Sequence, residues 1–277
     1  MTRTDFGRGE GNALHSFRLH WPEYVMEATE LALYMFLVCA FATLLQHPSS
    51  PVRHYVGTGL LRRALLGLAM GATVVGIIST PWGKRSGGHF NPAVTLGFYR
   101  LGKLSAWDAL FYIVAQFSGA TAGVVVAVHL LRGAPENDAV RYAVTTPGAY
   151  GIGAAFISEL TISFLLMGGI LFVSSREILA RYTPYFVGFL YAAFITFESP
   201  LSGMSMNPAR TFGSAINAGY WHALWIYFVA PTLGMVAAVE IFLRGRGNTA
   251  PCCAKLHHGN EKRCVFPHHS MAGAGSV

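Results

Sequence analysis

Charged residues are scarce in this chain. Lys, Arg, Asp and Glu make up 12% of its 277 residues, about half the roughly 25% of soluble domains. That deficit, beside 53% hydrophobic residues, excludes a disordered chain, which needs low hydrophobicity and high net charge. Cysteine is also scarce, and 4 Cys in a chain of this length do not make a disulfide scaffold. The 31 Gly follow no three-residue period, which excludes a collagen-like fibre. A membrane protein is the class that remains.

The distribution of charge supports this. Runs without Lys, Arg, Asp or Glu extend from Leu31 to Val52, Ala64 to Gly83, Ala109 to Leu131, Tyr182 to Phe197 and Thr211 to Val239. Tyr142 to Ser175 carries one charge, Glu159. A hydrocarbon core of about 30 Å needs roughly 20 apolar residues in a helix. Six spans are therefore expected, at about 24–46, 60–80, 105–131, 152–174, 183–200 and 222–243. A polar head precedes the first, with no small-residue cleavage site, so a removed signal peptide is not expected.

Net charge is +7, and the loops account for it better than nucleic acid does. Six spans put both termini on one side. That side takes Arg3, Arg8, Arg18, Lys84, Arg85, Arg100, Lys103, Arg176, Arg181, Arg244, Arg246, Lys255, Lys262 and Arg263. The other takes Arg53, Arg62, Arg63, Arg132 and Arg141. Cytoplasmic loops carry the excess of Lys and Arg, so both termini are expected in the cytoplasm of a plasma or inner membrane.

The two halves of the chain repeat one pattern. Glu30-Leu31-Ala32-Leu33 opens the first span and Glu159-Leu160-Thr161-Ile162 the fourth. Each half continues with a second span, a glycine-bearing loop, Asn-Pro-Ala, a short apolar stretch and a third span. The tripeptides are Asn91-Pro92-Ala93 and Asn207-Pro208-Ala209. Three spans per half is an odd number, so the second copy is inverted across the membrane, a pattern of transporters and channels. Asn caps a helix and Pro suits its first position, so each tripeptide starts a helix. The stretches 93–99 and 209–216 are too short to span and read as half-helices. Irregular backbone before them is tolerated at membrane depth only where it is buried or lines a cavity. The carbonyls of Gly87, Gly88 and His89, and of Ser202, Gly203 and Met204, are the candidates to line it.

Paired boxes in an inverted six-span repeat, the Ser86-Gly87-Gly88-His89 approach and the Asn207-Pro208-Ala209-Arg210 ending resemble the aquaporin (major intrinsic protein) family. The resemblance runs over about residues 23–245, as repeats at about 23–131 and 152–243. An N-terminal segment, 1–22, and a tail, 246–277, lie outside it. The resemblance implies an all-α membrane fold, six helices plus two re-entrant half-helices, assembled as a homotetramer with one pore per subunit. It implies a passive channel for water, without a cofactor, a resident metal or enzymatic chemistry. Its selectivity filter falls on Arg210, Ile195 and Met204, with the second-span position at Met70 or Gly71. Glu30 and Glu159 are implied to hold the loop backbones.

That filter is apolar around one Arg, and Ile195 stands where water-selective members carry His. Small uncharged solutes are therefore a further expectation. Thr211, where glycerol facilitators typically carry Asp, together with Ala215, Tyr227-Phe228 and a fairly short central loop, resembles water channels. A glycerol or metalloid-hydroxide facilitator using the same pore is the alternative. A secondary transporter or a closed-pore structural protein is a less favoured one, and only flux data exclude the latter.

Other residues invite readings of their own. Cys39 is expected to pack in the first span. Lys84-Arg85-Ser86 resembles a kinase site but reads better as a solvated loop. Glu198 reads as a partner of Arg210 or Arg62, or equally as a rim charge meeting water. Cys252, Cys253 and Cys264 lie near His257, His258, His268 and His269, at a spacing that matches no closed zinc motif. The tail reads as solvated and dispensable for folding and flux, with metal binding as the alternative.

Overall fold

In a computed structural model the chain is described at residues 12–245, 253–257, 260, 262–264 and 266. Among these residues the regular structure is all helical. The spans are α1 (Ala13–Gln46), α2 (Gly59–Ser79), then after half-helix α3 (Pro92–Arg100) α4 (Ala106–Leu130), α5 (Gly151–Ser174) and α6 (Thr183–Phe197). Half-helix α7 (Pro208–Ala218) and a last span, α8 (Ile226–Gly245), complete the order.

Five of the six spans are long and apolar enough to cross a bilayer. The sixth, α6, has 15 residues and so a length of about 22 Å at 1.5 Å per residue. A short helix, Ser199–Ser202, follows it directly. Large apolar side chains face outward along the bundle, among them Leu68, Ile157, Phe172, Phe189 and Ile241. Water would penalise an apolar surface of that extent, whereas lipid does not.

The first helix begins earlier than its hydropathy suggests. It starts at Ala13 and runs through Pro22, capped by the Asn12 side chain, which accepts from His15 N at 2.9 Å. Polar residues of this extension find partners in the bundle: Tyr24 Oη donates to Asp108 at 2.7 Å, and Glu23 pairs with Arg85 at 2.8 Å. Arg100 pairs with Glu240 at 2.6 Å at the same end of the bundle. At the other end Arg63 donates to the Thr196 carbonyl at 3.2 Å, closing the last turn of α6.

The halves interlock. Within each half the first span packs along the third, α1 on α4 and α5 on α8, while the second spans α2 and α6 pair across the halves. Each half-helix lies against the third span of the opposite half: α3 on α8 and α7 on α4. Glycine permits the closest approaches. Gly119 and Gly123, one turn apart on α4, meet the backbone of Ala28 and Ala32 on α1. In a membrane such small-residue faces drive helix association by van der Waals contact. Replacing Gly119 by Leu is expected to abolish the folded, monodisperse protein in size-exclusion chromatography, because the added atoms meet backbone. The exposed Leu110→Ala change on the same helix is expected to leave the profile intact.

Candidate functional site: the paired re-entrant loops

The two loops before α3 and α7 are built alike, residue by residue. In the first, Ser86 Oγ accepts from Gly88 N at 3.0 Å and donates to Glu30, while its carbonyl accepts from Tyr112 Oη at 2.6 Å. In the second, Ser202 Oγ accepts from Met204 N at 3.1 Å and donates to Glu159, while its carbonyl accepts from Tyr227 Oη at 2.6 Å. Gly87 and Gly203 take the left-handed conformation, with φ of 109° and 83°. That region is open to glycine at no steric cost.

Buried carboxylates then hold the backbone next to each Asn. Glu159 accepts from Ser205 N and Met206 N, both at 2.7 Å. In the first loop the equivalent acceptor is Glu27, not Glu30: it takes His89 N at 2.9 Å and Phe90 N at 2.6 Å. Glu27 also accepts from Gln116 Nε2 at 2.7 Å. Glu30 reaches the loop only through Ser86, and its second oxygen has no partner among the described residues. The backbone-holding role expected of Glu30 therefore sits one helical turn earlier. Phe90, Met204 and Met206 hold positive φ, which non-glycine residues keep only where surrounding bonds over-determine it.

At the centre the two half-helices meet. Asn91 and Asn207 cap them, the first accepting from Ala93 N at 2.9 Å, the second from Ala209 N and Arg210 N at 3.1 Å. Each Asn also donates across the junction. Asn91 Nδ2 bonds the Met206 carbonyl and Asn207 Nδ2 the Phe90 carbonyl, both at 2.8 Å. Each carbonyl belongs to the residue before the opposite Asn, so the bonds are reciprocal. Pro92, Ala93, Pro208 and Ala209 are buried around them.

Arg210 follows the second cap and is 6% exposed, and its Nη1 has no partner among the described residues. Met70, Ile195 and Met204 are buried within one continuous apolar cluster. Gly71 is placed differently. It packs at the α2–α6 crossing, where a Cβ would stand 2.5 Å from the Gly188 carbonyl, leaving Met70 as the second-span candidate.

Three expectations change. Lys84-Arg85-Ser86 is not a solvated loop: it ends the short helix Pro81–Ser86, with Lys84 and Arg85 half-buried and the Ser86 hydroxyl fully buried, out of reach of a kinase as well. Glu198 is buried rather than a solvated rim charge, and among the described residues it pairs with neither Arg62 nor Arg210. The tail is not simply solvated: Cys253, Ala254, Lys255, Leu256 and Phe266 are buried. Cys252, His258, His268 and His269 lie outside the described residues, and among those described no metal-holding cluster of His, Cys and acid forms. Cys39 is buried in the core as expected.

Leaving a buried donor unpaired costs about 1–3 kcal/mol. Glu27→Ala strands two backbone N–H groups and takes one of two bonds from the Gln116 amide nitrogen, whereas Glu30→Ala takes one bond from a hydroxyl that still accepts from Gly88 N. Glu27→Ala is thus expected to lower the detergent-phase melting temperature clearly more than Glu30→Ala. Equal losses would contradict the assignment.

Comparison with known proteins agrees with this geometry. The family description "Major intrinsic protein" matches residues 15–242. A probable aquaporin TIP2-2 of Oryza sativa subsp. japonica is 36% identical over 154 residues, 54% of this chain and 58% of that protein. Aquaporin Z of Bradyrhizobium diazoefficiens is 31% identical, covering 65% of this chain and 76% of the relative. Aquaporin-8 of Notomys alexis is 30% identical over 78% of this chain and 81% of its own length. The X-ray structure of the aquaglyceroporin from Plasmodium falciparum superposes with a TM-score of 0.67 over 80% of this chain and 95% of that one, at 22% identity, which bears on the fold. The chain is an integral membrane protein of the major intrinsic protein family, whose members are passive channels and not enzymes.

Proposed function

We propose that the chain conducts water passively, together with small uncharged solutes, and excludes ions and protons. The observation that carries this reading is the meeting of two capped half-helices at their N-termini, joined by the reciprocal Asn91 and Asn207 bonds. Helix N-termini carry partial positive charge, so cations and protons meet a barrier there. An Asn amide has two N–H donors, and the junction engages one of each pair with a carbonyl. The second donor of Asn207, and that of Asn91 beside the Tyr191 hydroxyl, orient a water molecule, which interrupts a proton wire. Acceptors for the rest of the file come from the loop carbonyls of Gly87, Gly88, His89, Ser202, Gly203 and Met204.

Arg210 supplies the donors of the filter, beside Ile195, Met204 and Met70. A cation at this depth is costly unless it meets water or a polar partner, and its buried Nη1, unpaired among the described residues, is the donor that a permeating molecule would engage. The three apolar side chains assigned to the filter offer no competing hydrogen bond, which favours neutral solutes over a strict water filter. The channel acts as a homotetramer with both termini in the cytoplasm of a plasma or inner membrane. Among known relatives the chain aligns with aquaporins, and glycerol or metalloid-hydroxide transport through the same pore is the second reading, favoured by the apolar filter.

Stopped-flow light scattering of proteoliposomes under sucrose and then glycerol gradients tests this directly. Water flux with a low activation energy is expected, and its absence contradicts the proposal. Ile195→His adds a polar group and narrows the filter, so glycerol permeability is expected to fall more than water permeability. An unchanged ratio, where wild type passes glycerol, would move the filter to a neighbouring α6 residue.

A further inference from the structure

We propose that the C-terminal segment is a plug for the channel, its described residues seated on the first re-entrant loop at the end of the bundle where α1 begins and α8 ends. The inference rests on the channel reading above and adds a regulated mouth to it.

His89 lies two residues before the Asn91 cap, and its ring is sandwiched. Phe98 of α3 stacks on one side at 5.0 Å and 11°, and Phe266 of the tail on the other at 5.8 Å and 7°. Phe266 also meets the ring of Tyr112 edge-on at 6.3 Å. In the ring plane His89 Nε2 lies 2.6 Å from the Ala254 carbonyl. A carbonyl only accepts, so Nε2 carries the hydrogen and donates it. In the neutral ring Nδ1, 3.2 Å from Thr95 Oγ1, then accepts from that hydroxyl, whose oxygen in turn accepts from Gln116 Nε2 at 3.1 Å.

Two residues further from the cap, the Gly87 carbonyl accepts from Leu256 N at 3.0 Å. Two polar groups that a water file would need at this mouth, the Gly87 carbonyl and the His89 N–H, are thus satisfied by the tail backbone. The fit leaves no room for a side chain at Gly87, where a Cβ would stand 3.0 Å from the Phe266 ring and 3.2 Å from the Ala254 carbonyl.

Lys255 explains how so short a segment holds its shape. It is 1% exposed, and its ammonium donates to the carbonyls of Lys262 at 2.9 Å and Arg263 at 3.0 Å. The side chain ties the segment that carries Ala254 and Leu256 to Lys262 and Arg263. A buried ammonium is costly without such acceptors, so the tie and the seated conformation depend on each other. Among the described residues the seat includes two hydrogen bonds to the tail backbone and the Phe266 ring, contacts that can release without unfolding the bundle. The mouth recognises a peptide offering a carbonyl, an N–H and an aromatic ring at this spacing, and the chain supplies its own.

Water permeability per incorporated protein would be measured in proteoliposomes for the full chain, a chain ending at Arg246, Phe266→Ala and Lys255→Met. The shortened chain is expected to conduct water several-fold faster than the full chain, and the two point variants to fall between. Equal, non-zero flux in all four would overturn the plug alone. A folded shortened chain that passes neither water nor glycerol would overturn the channel reading and the plug with it. Should the shortened chain not fold, the two full-length variants decide by the same comparison.

Discussion

Backbone N–H and C=O groups cannot be left unpaired within a hydrocarbon layer, and every distinctive feature of this site follows from that constraint. Two segments of non-helical chain enter the bundle from opposite sides. Each needs acceptors for its N–H groups without using up its own carbonyls. Glu27 and Glu159 supply those acceptors, with serine hydroxyls closing each turn. Tyr112 and Tyr227 then fix one carbonyl apiece, at Ser86 and Ser202. Carboxylates that would mark ion coupling in another membrane protein are here absorbed by structure.

The junction of the half-helices is the centre of this arrangement. A single Asn-Pro-Ala would cap a helix and nothing more. Two of them, inverted, let each amide bond the backbone preceding the other, so neither loop holds its position alone. The packing of each half-helix on the opposite half repeats the same dependence at larger scale. Small residues at the α1–α4 crossing let these elements come close enough for the contacts to form.

Much of this was legible from residues. Span positions followed from uncharged runs, and the half-helix starts at Pro92 and Pro208 from capping chemistry. The role of Glu27 was not legible, because Glu27 and Glu30 lie one turn apart on one helix face. The shared Glu-Leu pair aligns Glu30 with Glu159 by sequence, yet reach to the loop backbone decides the function. Met70 and Gly71 were inseparable for a similar reason: only the crossing with α6 shows that Gly71 is needed for contact. The early start of α1 was hidden by polar residues that bond within the bundle instead of meeting water. Burial of the tail was hidden too, since a segment of Lys, His, Gly and Pro has no apolar period, and its seating depends on Phe266 and on backbone groups.

The central claim is that the half-helix junction passes water while repelling charge. The most direct measurement is cation conductance and water flux on the same vesicles, for Asn91→Asp and Asn207→Asp in a chain ending at Arg246. A carboxylate there replaces an amide donor with negative charge among the helix N-termini. Measurable cation conductance, with water flux retained, is the predicted result. Ion conductance unchanged in both folded variants would contradict the account.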